Sequence, residues 1–225
     1  MADDRPKGSI IYKILIVILT AALVGTILYP KHLWEQEKRN TLQCRANMVS
    51  IMYAEYTFHD TTDSFTASLD TLSSVLLNDT TKKLLRRYAR TDTALAEQIV
   101  RALSKRDTLA KAIADTVREY ARLHDLDNPA GLVLDSLMYY PKYLPFIDSA
   151  ATYRIEHFKL CPTVNRPYII TVVDTSVIKT FNIECPITKE DSLKVAQDFW
   201  KSKVGGLKIT NHGRITKGEE MSWKK

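Results

Sequence analysis

IIYKILIVILTAALVGTILY, residues 10–29, decides how the rest of the chain is to be read. The run carries one charge, Lys13, and no comparable stretch recurs in the 225 residues. As a helix, at about 1.5 Å per residue, it spans about 30 Å, the thickness of a bilayer's hydrocarbon core. Lys13 lies one turn from the start, where its stem can carry the ammonium back to the headgroups. A secretory signal would have a shorter apolar region, about 7–15 residues, and a small-x-small exit. Here Tyr29, Pro30, Lys31 and His32 follow, so the run reads as an uncleaved anchor. Arg5, Lys7 and Lys13 precede or enter it, and Lys31, Lys38, Arg39 and Arg45 follow, so positive charge alone does not orient the body.

The flanks carry a resemblance. Pro6, Lys7 and Gly8 end a short basic leader (residues 1–9), and Pro30 stands 22 residues beyond Gly8. This resembles the N-terminus of type IV pilins and of type II secretion pseudopilins. The resemblance implies leader cleavage between Gly8 and Ser9 and a helix kinked at Pro30. It also implies a bacterial inner-membrane location, with the body outside the cytoplasm. Ser9 stands where the family usually has an aromatic, and Lys13 stands where it prefers Glu. Residues 33–59 resemble the stalk that enters a pilin head. A plain single-pass anchor with a helical stalk is the other reading of the same residues.

Past the anchor, Leu42, Ala46, Val49, Tyr53 and Tyr56 recur at helical spacing, which predicts a stalk over residues 30–58 with one buried face. Pro30 either interrupts it or is carried within it. Phe65, Leu69, Leu72 and Leu76 predict a short helix capped by Ser64 or Thr66. Residues 78–126 contain no Gly or Pro and read as a helical insert, split by N-caps at Asp92 and Asp107. Residues 130–138 form a further short helix, and YYPKYLPF reads as loop. YRIEHF, YIITVV and SVIKTFNIEC then read as strands. Thr188 and Asp191 predict a capping box opening a helix that runs through Trp200 to Gly205. The tail reads as a hairpin turning at Asn211 to Gly213. The expected fold is α+β: a transmembrane helix extended into a stalk, a helix-rich middle and a small antiparallel sheet, with residues 59–225 as the water-facing head.

There are three cysteines. Cys161 and Cys185 are each followed by Pro and bracket the strand-rich segment. A bond between them would close a loop of about 24 residues and stabilise by roughly 3 kcal/mol in an oxidising compartment. Two half-buried thiols in a reducing one are the alternative. Cys44 is left over on the stalk, packed or cross-linking to a neighbour. For a metal, His157 is the one nearby histidine, too few ligands for a site. Asp60 and Asp63 in HDTTDS read as turn formers, without EF-hand spacing.

The five histidines form no HExxH pair, and GxSxG, Walker and GxGxxG motifs are absent. The chain is therefore expected to be no enzyme and to need no cofactor or metal. Net charge is +6, from 32 basic and 26 acidic residues, modest for this length. Lys83, Arg86, Arg87 and Arg90 share a helix face that could touch an anionic surface. The same pattern is also that of a solvated face. No nucleic-acid motif accompanies it, so nucleic acid is not an expected partner. The expected partners are the bilayer and either copies of the chain or other membrane subunits. The first expectation is a pilin- or pseudopilin-like structural protein packing through its N-terminal helix. The second is a single-pass accessory subunit of a larger membrane complex.

Overall fold

A computed structural model describes residues 8–175 and 178–224. Along the chain run α1 (Gly8–Thr62), α2 (Leu69–Leu77), α3 (Lys83–Thr91), α4 (Thr93–Arg106), α5 (Thr108–Leu123), α6 (Pro129–Met138) and α7 (Leu144–His157). Then come β1 (Ile169–Asp174), β2 (Lys179–Glu184), α8 (Lys189–Gln197), β3 (Arg214–Thr216) and β4 (Glu220–Met221). The fold is α+β, with a long apolar N-terminal helix and a small antiparallel sheet in the C-terminal part. Residues 1–7, most of the expected leader, lie outside the described residues, as does the side chain of Ser9 at the expected cleavage point. The chain divides into two units. One comprises residues up to Leu42 with Ile187–Asn211; the other comprises Gln43–Pro186 with His212–Lys225.

In the first unit, α1 runs through Pro30 without a break. Pro30 has no N–H, so one helical hydrogen bond is missing there, but the fixed φ of proline is compatible with the helix. Among the described residues α1 is the one helix long and apolar enough to cross a membrane, and its apolar window is not buried at all. The two threonine hydroxyls of the apolar run are satisfied within the helix. Thr20 Oγ1 donates to the Ile16 carbonyl at 2.8 Å, and Thr26 Oγ1 to the Leu23 carbonyl at 2.8 Å. That is what a hydrocarbon surrounding demands of a polar group.

The rest of this unit folds beside the helix just past the apolar run. α8 opens on the expected capping box between Thr188 and Asp191. It ends at Gln197, short of the expected Trp200, because Asp198 is extended and its carboxylate accepts from Lys201 N at 3.0 Å. A single π-type turn, Phe199–Val204, follows. Gly205 then passes so close that a Cβ would lie 2.5 Å from Leu33 Cδ1.

In the second unit the remainder of α1 is the central element. The expected one-sided stripe is corrected here. Leu42 is exposed, whereas Cys44, Met48, Ile51, Ala54 and Phe58 are buried together with Asn47, Ser50, Glu55 and Thr57. The helix is enclosed on nearly all sides, so its polar residues must find partners. Ser50 Oγ donates to the buried Asp92 carboxylate at 2.5 Å and accepts from Arg154 Nε at 2.9 Å. Tyr88 Oη also donates to Asp92, at 3.2 Å. Asp92 caps α4 through Leu95 N, and Asp107 caps α5 through Leu109 N and Ala110 N. Both N-caps lie where the sequence predicts them. α2 is capped by Ser68, not by Ser64 or Thr66.

The segment YRIEHF is helical, not a strand, and the preceding YLPF is the start of α7 rather than loop. Pro145 sits in the first turn, where its missing N–H costs nothing. Ile147, Ala151 and Ile155 then recur at helical spacing and are buried, so the apparent alternation of YRIEHF is one part of a longer helical period. The sheet is an antiparallel meander in the order β1-β2-β3-β4. β1 and β2 pair from Ile169↔Glu184 to Asp174↔Lys179, as expected for YIITVV and FNIE. The terminal hairpin turns later than expected, at Lys217 and Gly218, both with positive φ, which places Ile215 opposite Met221. Tyr56, Phe65 and Phe181 pack their rings together, with Phe65 and Phe181 centroids 4.7 Å apart, and join the end of α1 to the sheet.

Glu55 sits fully buried beside this cluster. Its Oε2 accepts from Thr66 N at 3.1 Å, while Oε1 has no hydrogen-bond partner among the described residues. Burial pushes its carboxyl from 4.5 up to about 7. Between those values an unfolded chain ionises while the folded chain keeps its proton, so stability falls as pH rises through that window and levels off above it. The span corresponds to about 3 kcal/mol. Glu55→Gln should flatten the slope and raise the urea midpoint at pH 8 relative to the parent, with little change at pH 4.5. An unchanged slope in the variant would show that Glu55 ionises freely in the folded state.

Candidate metal centre

Four segments distant in sequence bring their chemistry to one place in the second unit. Cys44 comes from α1, and Cys161 from the turn after α7. Cys185 follows β2 directly, and His212 stands two residues before β3. Their donor atoms all lie within 4.8 Å of one another. Cys44 and Cys161 are 0% exposed, Cys185 and His212 3%.

Local backbone geometry holds each residue in position. Cys161 N donates to the Arg166 carbonyl at 2.9 Å, and Asn165 N to the Cys161 carbonyl at 2.8 Å. Asn165 has a positive φ, closing this tight turn. The expected bend at residues 165–167 is thus a device that aims Cys161 inward. Cys185 N donates to the Gly213 carbonyl at 3.2 Å, fixing β2's end against the residue after His212. The Gly213 φ of +119° is open to glycine and strained for other residues. A Cβ there would also meet Ser222 Oγ and Trp223 Cε3 at 2.6 Å. Arg45 Nε donates to the His212 carbonyl at 3.0 Å, and its guanidinium lies over the Trp223 ring, 5.6 Å from the centroid. Tyr168 Oη donates to the Cys44 carbonyl at 3.3 Å.

Among the described residues no disulfide joins any of the three cysteines. The expected Cys161–Cys185 bond is absent, and both residues share a cluster with the cysteine that had been left over. Cys44 and Cys185 sulfurs are 3.5 Å apart. That exceeds a bonded pair's roughly 2.05 Å and approaches the roughly 3.8 Å edge of a tetrahedron of thiolates around a metal at about 2.3 Å. The hydrogen bonds of Cys185 and Cys44 draw the Cys161 thiol far down, and those of Cys161 and Cys185 drive Cys44 up. Negative charge is thus favoured on the Cys161 sulfur and opposed on that of Cys44. Three thiols and an imidazole are a donor set suited to zinc or another thiophilic ion.

His157, the histidine the sequence put forward, plays no part in the cluster. It is exposed, stacks on Tyr153 at 4.0 Å between centroids and bonds the Tyr153 carbonyl through Nδ1 at 2.8 Å. The residues missed were Cys44 and His212. The available signal was the Asn211-His212-Gly213 segment of the tail, together with two Cys-Pro pairs. No short spacing links them.

The remaining candidate residues are accounted for by the fold. Arg86 forks onto Asp148 at 2.8 and 2.9 Å, Arg87 pairs with Asp60, and Arg90 lies 3.2 Å from Asp135. Three of the four cations proposed for an anionic surface are therefore committed to carboxylates of the same body, and Lys83 stays exposed. Asp63 is paired with Lys179 at 2.7 Å, so the HDTTDS carboxylates serve ion pairs.

No protein-family model, no curated protein and no solved structure matches this chain.

Gly213→Ala should destabilise the folded body by on the order of 1–3 kcal/mol, since the substitution adds strain and crowds Trp223. The measurement is the urea midpoint of the full chain in detergent. A midpoint equal to the parent's would show that His212 is not held by this turn.

Proposed function

We propose that the chain is a membrane-anchored, non-enzymatic assembly protein, pilin-like in plan, which packs through α1 against copies of itself. One observation carries the reading: the same helix is exposed and apolar over residues 12–29 and enclosed by the body from Cys44 to Phe58. Exposed apolar surface of that length is costly in water and is satisfied by lipid or by other apolar helices. In this plan the apolar part lies in a bacterial inner membrane, with the body outside the cytoplasm. The second reading, an accessory subunit of a larger membrane complex, is favoured by Lys13, which suits pairing with a carboxylate on a different helix.

The first unit supports the membrane location by its own chemistry. Trp200 and Val204 line a cleft with Ala22, Gly25, Thr26 and Tyr29 of α1. This puts the π-type turn level with the end of the apolar run. Phe199 and Trp200 are 62% and 66% exposed, and Lys189, Lys194, Lys201, Lys203 and Lys208 are exposed in the same stretch of chain. Exposed aromatics among lysines beside the end of a span are the pattern of a headgroup-level belt.

Two measurements test the reading. The full chain should stay with membranes through alkaline carbonate washing, whereas Leu19→Arg combined with Leu23→Arg should release it, each charge costing about 3 kcal/mol at mid-bilayer. On native sizing in mild detergent the parent should migrate above a monomer, and cleavage should give an intact mass beginning at Ser9. A monomer without partners would overturn the assembly reading; a retained Met1 in cells with active leader peptidase would favour the accessory-subunit reading. Protease added to spheroplasts should digest the body; protection until lysis would reverse the orientation.

The belt has its own test. With Trp34→Phe and Trp223→Phe leaving Trp200 as the indole, brominated lipids in nanodiscs should quench its fluorescence at least about twofold. Unchanged emission would place the turn away from the bilayer.

A further inference from the structure

We propose that Cys44, Cys161, Cys185 and His212 bind a zinc ion in a closed tetrahedral site, and that this ion is a structural staple of the body.

The donor set comes first. Zinc in structural sites takes four protein ligands, among them the Cys₃His combination, with thiolates at about 2.3 Å and imidazole nitrogen at about 2.0–2.1 Å. Donor atoms in such a tetrahedron stand about 3.5–3.8 Å apart. The four donors here lie within 4.8 Å of each other, and the Cys44 and Cys185 sulfurs are 3.5 Å apart. Contraction of the widest donor separation by up to about 1 Å brings the four to tetrahedral spacing. A disulfide would use two sulfurs and leave the third sulfur and the imidazole packed against it. A metal uses all four.

The approach of the residues is the second point. The four come from α1, the turn after α7, the end of β2 and the start of the terminal hairpin. Nothing in packing requires three thiols and a histidine to meet where these segments converge; Leu, Val or Ala would fill the same space. Buried thiols behave as small hydrophobes, and three of them together with an imidazole are an expensive way to fill a core. A bound cation makes the arrangement favourable, because each sulfur can then be a thiolate.

Charge and protons balance simply. On binding, the three thiols release their protons to solvent and the imidazole binds as the neutral base. Three thiolates on a divalent ion leave a net charge of about −1. The Arg45 guanidinium, whose Nε donates to the His212 carbonyl at 3.0 Å, stands beside the site to offset that charge. The Tyr168 hydroxyl on the Cys44 carbonyl and the Gly213 carbonyl on Cys185 N hold the ligand-bearing backbones. Such supporting bonds fix ligand orientation in metal sites. With four protein ligands and near-complete burial the site has no position for a substrate, so its role is structural.

The test uses untagged full chain purified in detergent without chelator. Elemental analysis should find about one zinc per chain. Cys44→Ala and His212→Ala should each lower that at least about tenfold, and His157→Ala should leave it unchanged. Because ligand-deleted variants can fail to fold, His212→Cys serves as the second variant: it supplies a fourth thiolate and should retain zinc. Cobalt(II) replacing the ion should show the intense visible absorption of a tetrahedral thiolate site. A metal-free, folded protein whose non-reduced mass is lower by two hydrogens would overturn the proposal in favour of a disulfide. Zinc retained in Cys44→Ala and His212→Ala alike would show surface binding elsewhere, and iron in stoichiometric amount would overturn the choice of metal.

Discussion

The body depends on one constraint: from Cys44 to Phe58 the helix α1 is enclosed on nearly every side, yet it carries Asn47, Ser50, Glu55 and Thr57. A buried polar group without a partner costs about 1–3 kcal/mol, so each of these residues dictates what stands beside it. Ser50 requires Asp92 and Arg154, which brings the start of α4 and the last turn of α7 against α1. Asn47 Nδ2 donates to the Leu160 carbonyl at 3.3 Å and so sets the chain just before Cys161. Thr57 returns its hydroxyl to the Tyr53 carbonyl, and Glu55 holds Thr66 N, turning the chain towards α2. The helical middle is therefore organised by a few polar contacts on one helix, with apolar packing filling the space they define.

Local signals of the fold were legible where a single residue type carries the mechanism. Asp92, Asp107 and Thr188 cap helices because their side chains reach backbone N–H groups two or three residues on, a relation fully contained in sequence. β1 and β2 were legible because β-branched and aromatic residues cluster between turn signals. The failures share a cause. YRIEHF looks like a strand over six residues, and only the longer period from Ile147 to Ile155 shows a helix. The stalk stripe was misread because an enclosed helix has no polar face to contrast with its apolar one.

The four-residue cluster was illegible for a different reason. Ligands close in sequence, such as two cysteines in one knuckle, advertise a site through spacing. Here each ligand comes from a separate segment, and Cys44 and Cys185 are 141 residues apart. Their meeting is a property of the tertiary fold: β2 and β3 pair at Glu184 and Arg214, which sets Cys185 and His212 side by side at one end of the sheet. α1 then presents Cys44 from the same helical stretch whose polar contacts organise the body. Local signs remained in the turns, where Pro162, Pro186 and Gly213 adjoin three of the four residues.

The chemistry of the cluster also bears on the compartment. A Cys161–Cys185 bond would have tied the body to an oxidising environment, and that link was the sequence's own chemical argument for one side of the membrane. With Cys44 and His212 beside them, the argument changes from redox potential to access. Thiol oxidation and exchange require an attacking species to reach a sulfur, and reactivity follows exposure and thiolate character together. Sulfurs in residues no more than 3% exposed resist attack on either side of a membrane, and ligation to a metal would lower their nucleophilicity further. The burial that makes the site closed is thus also what would allow thiolates to persist in an oxidising space. Under the zinc proposal, thiol chemistry and an extracytoplasmic body are compatible.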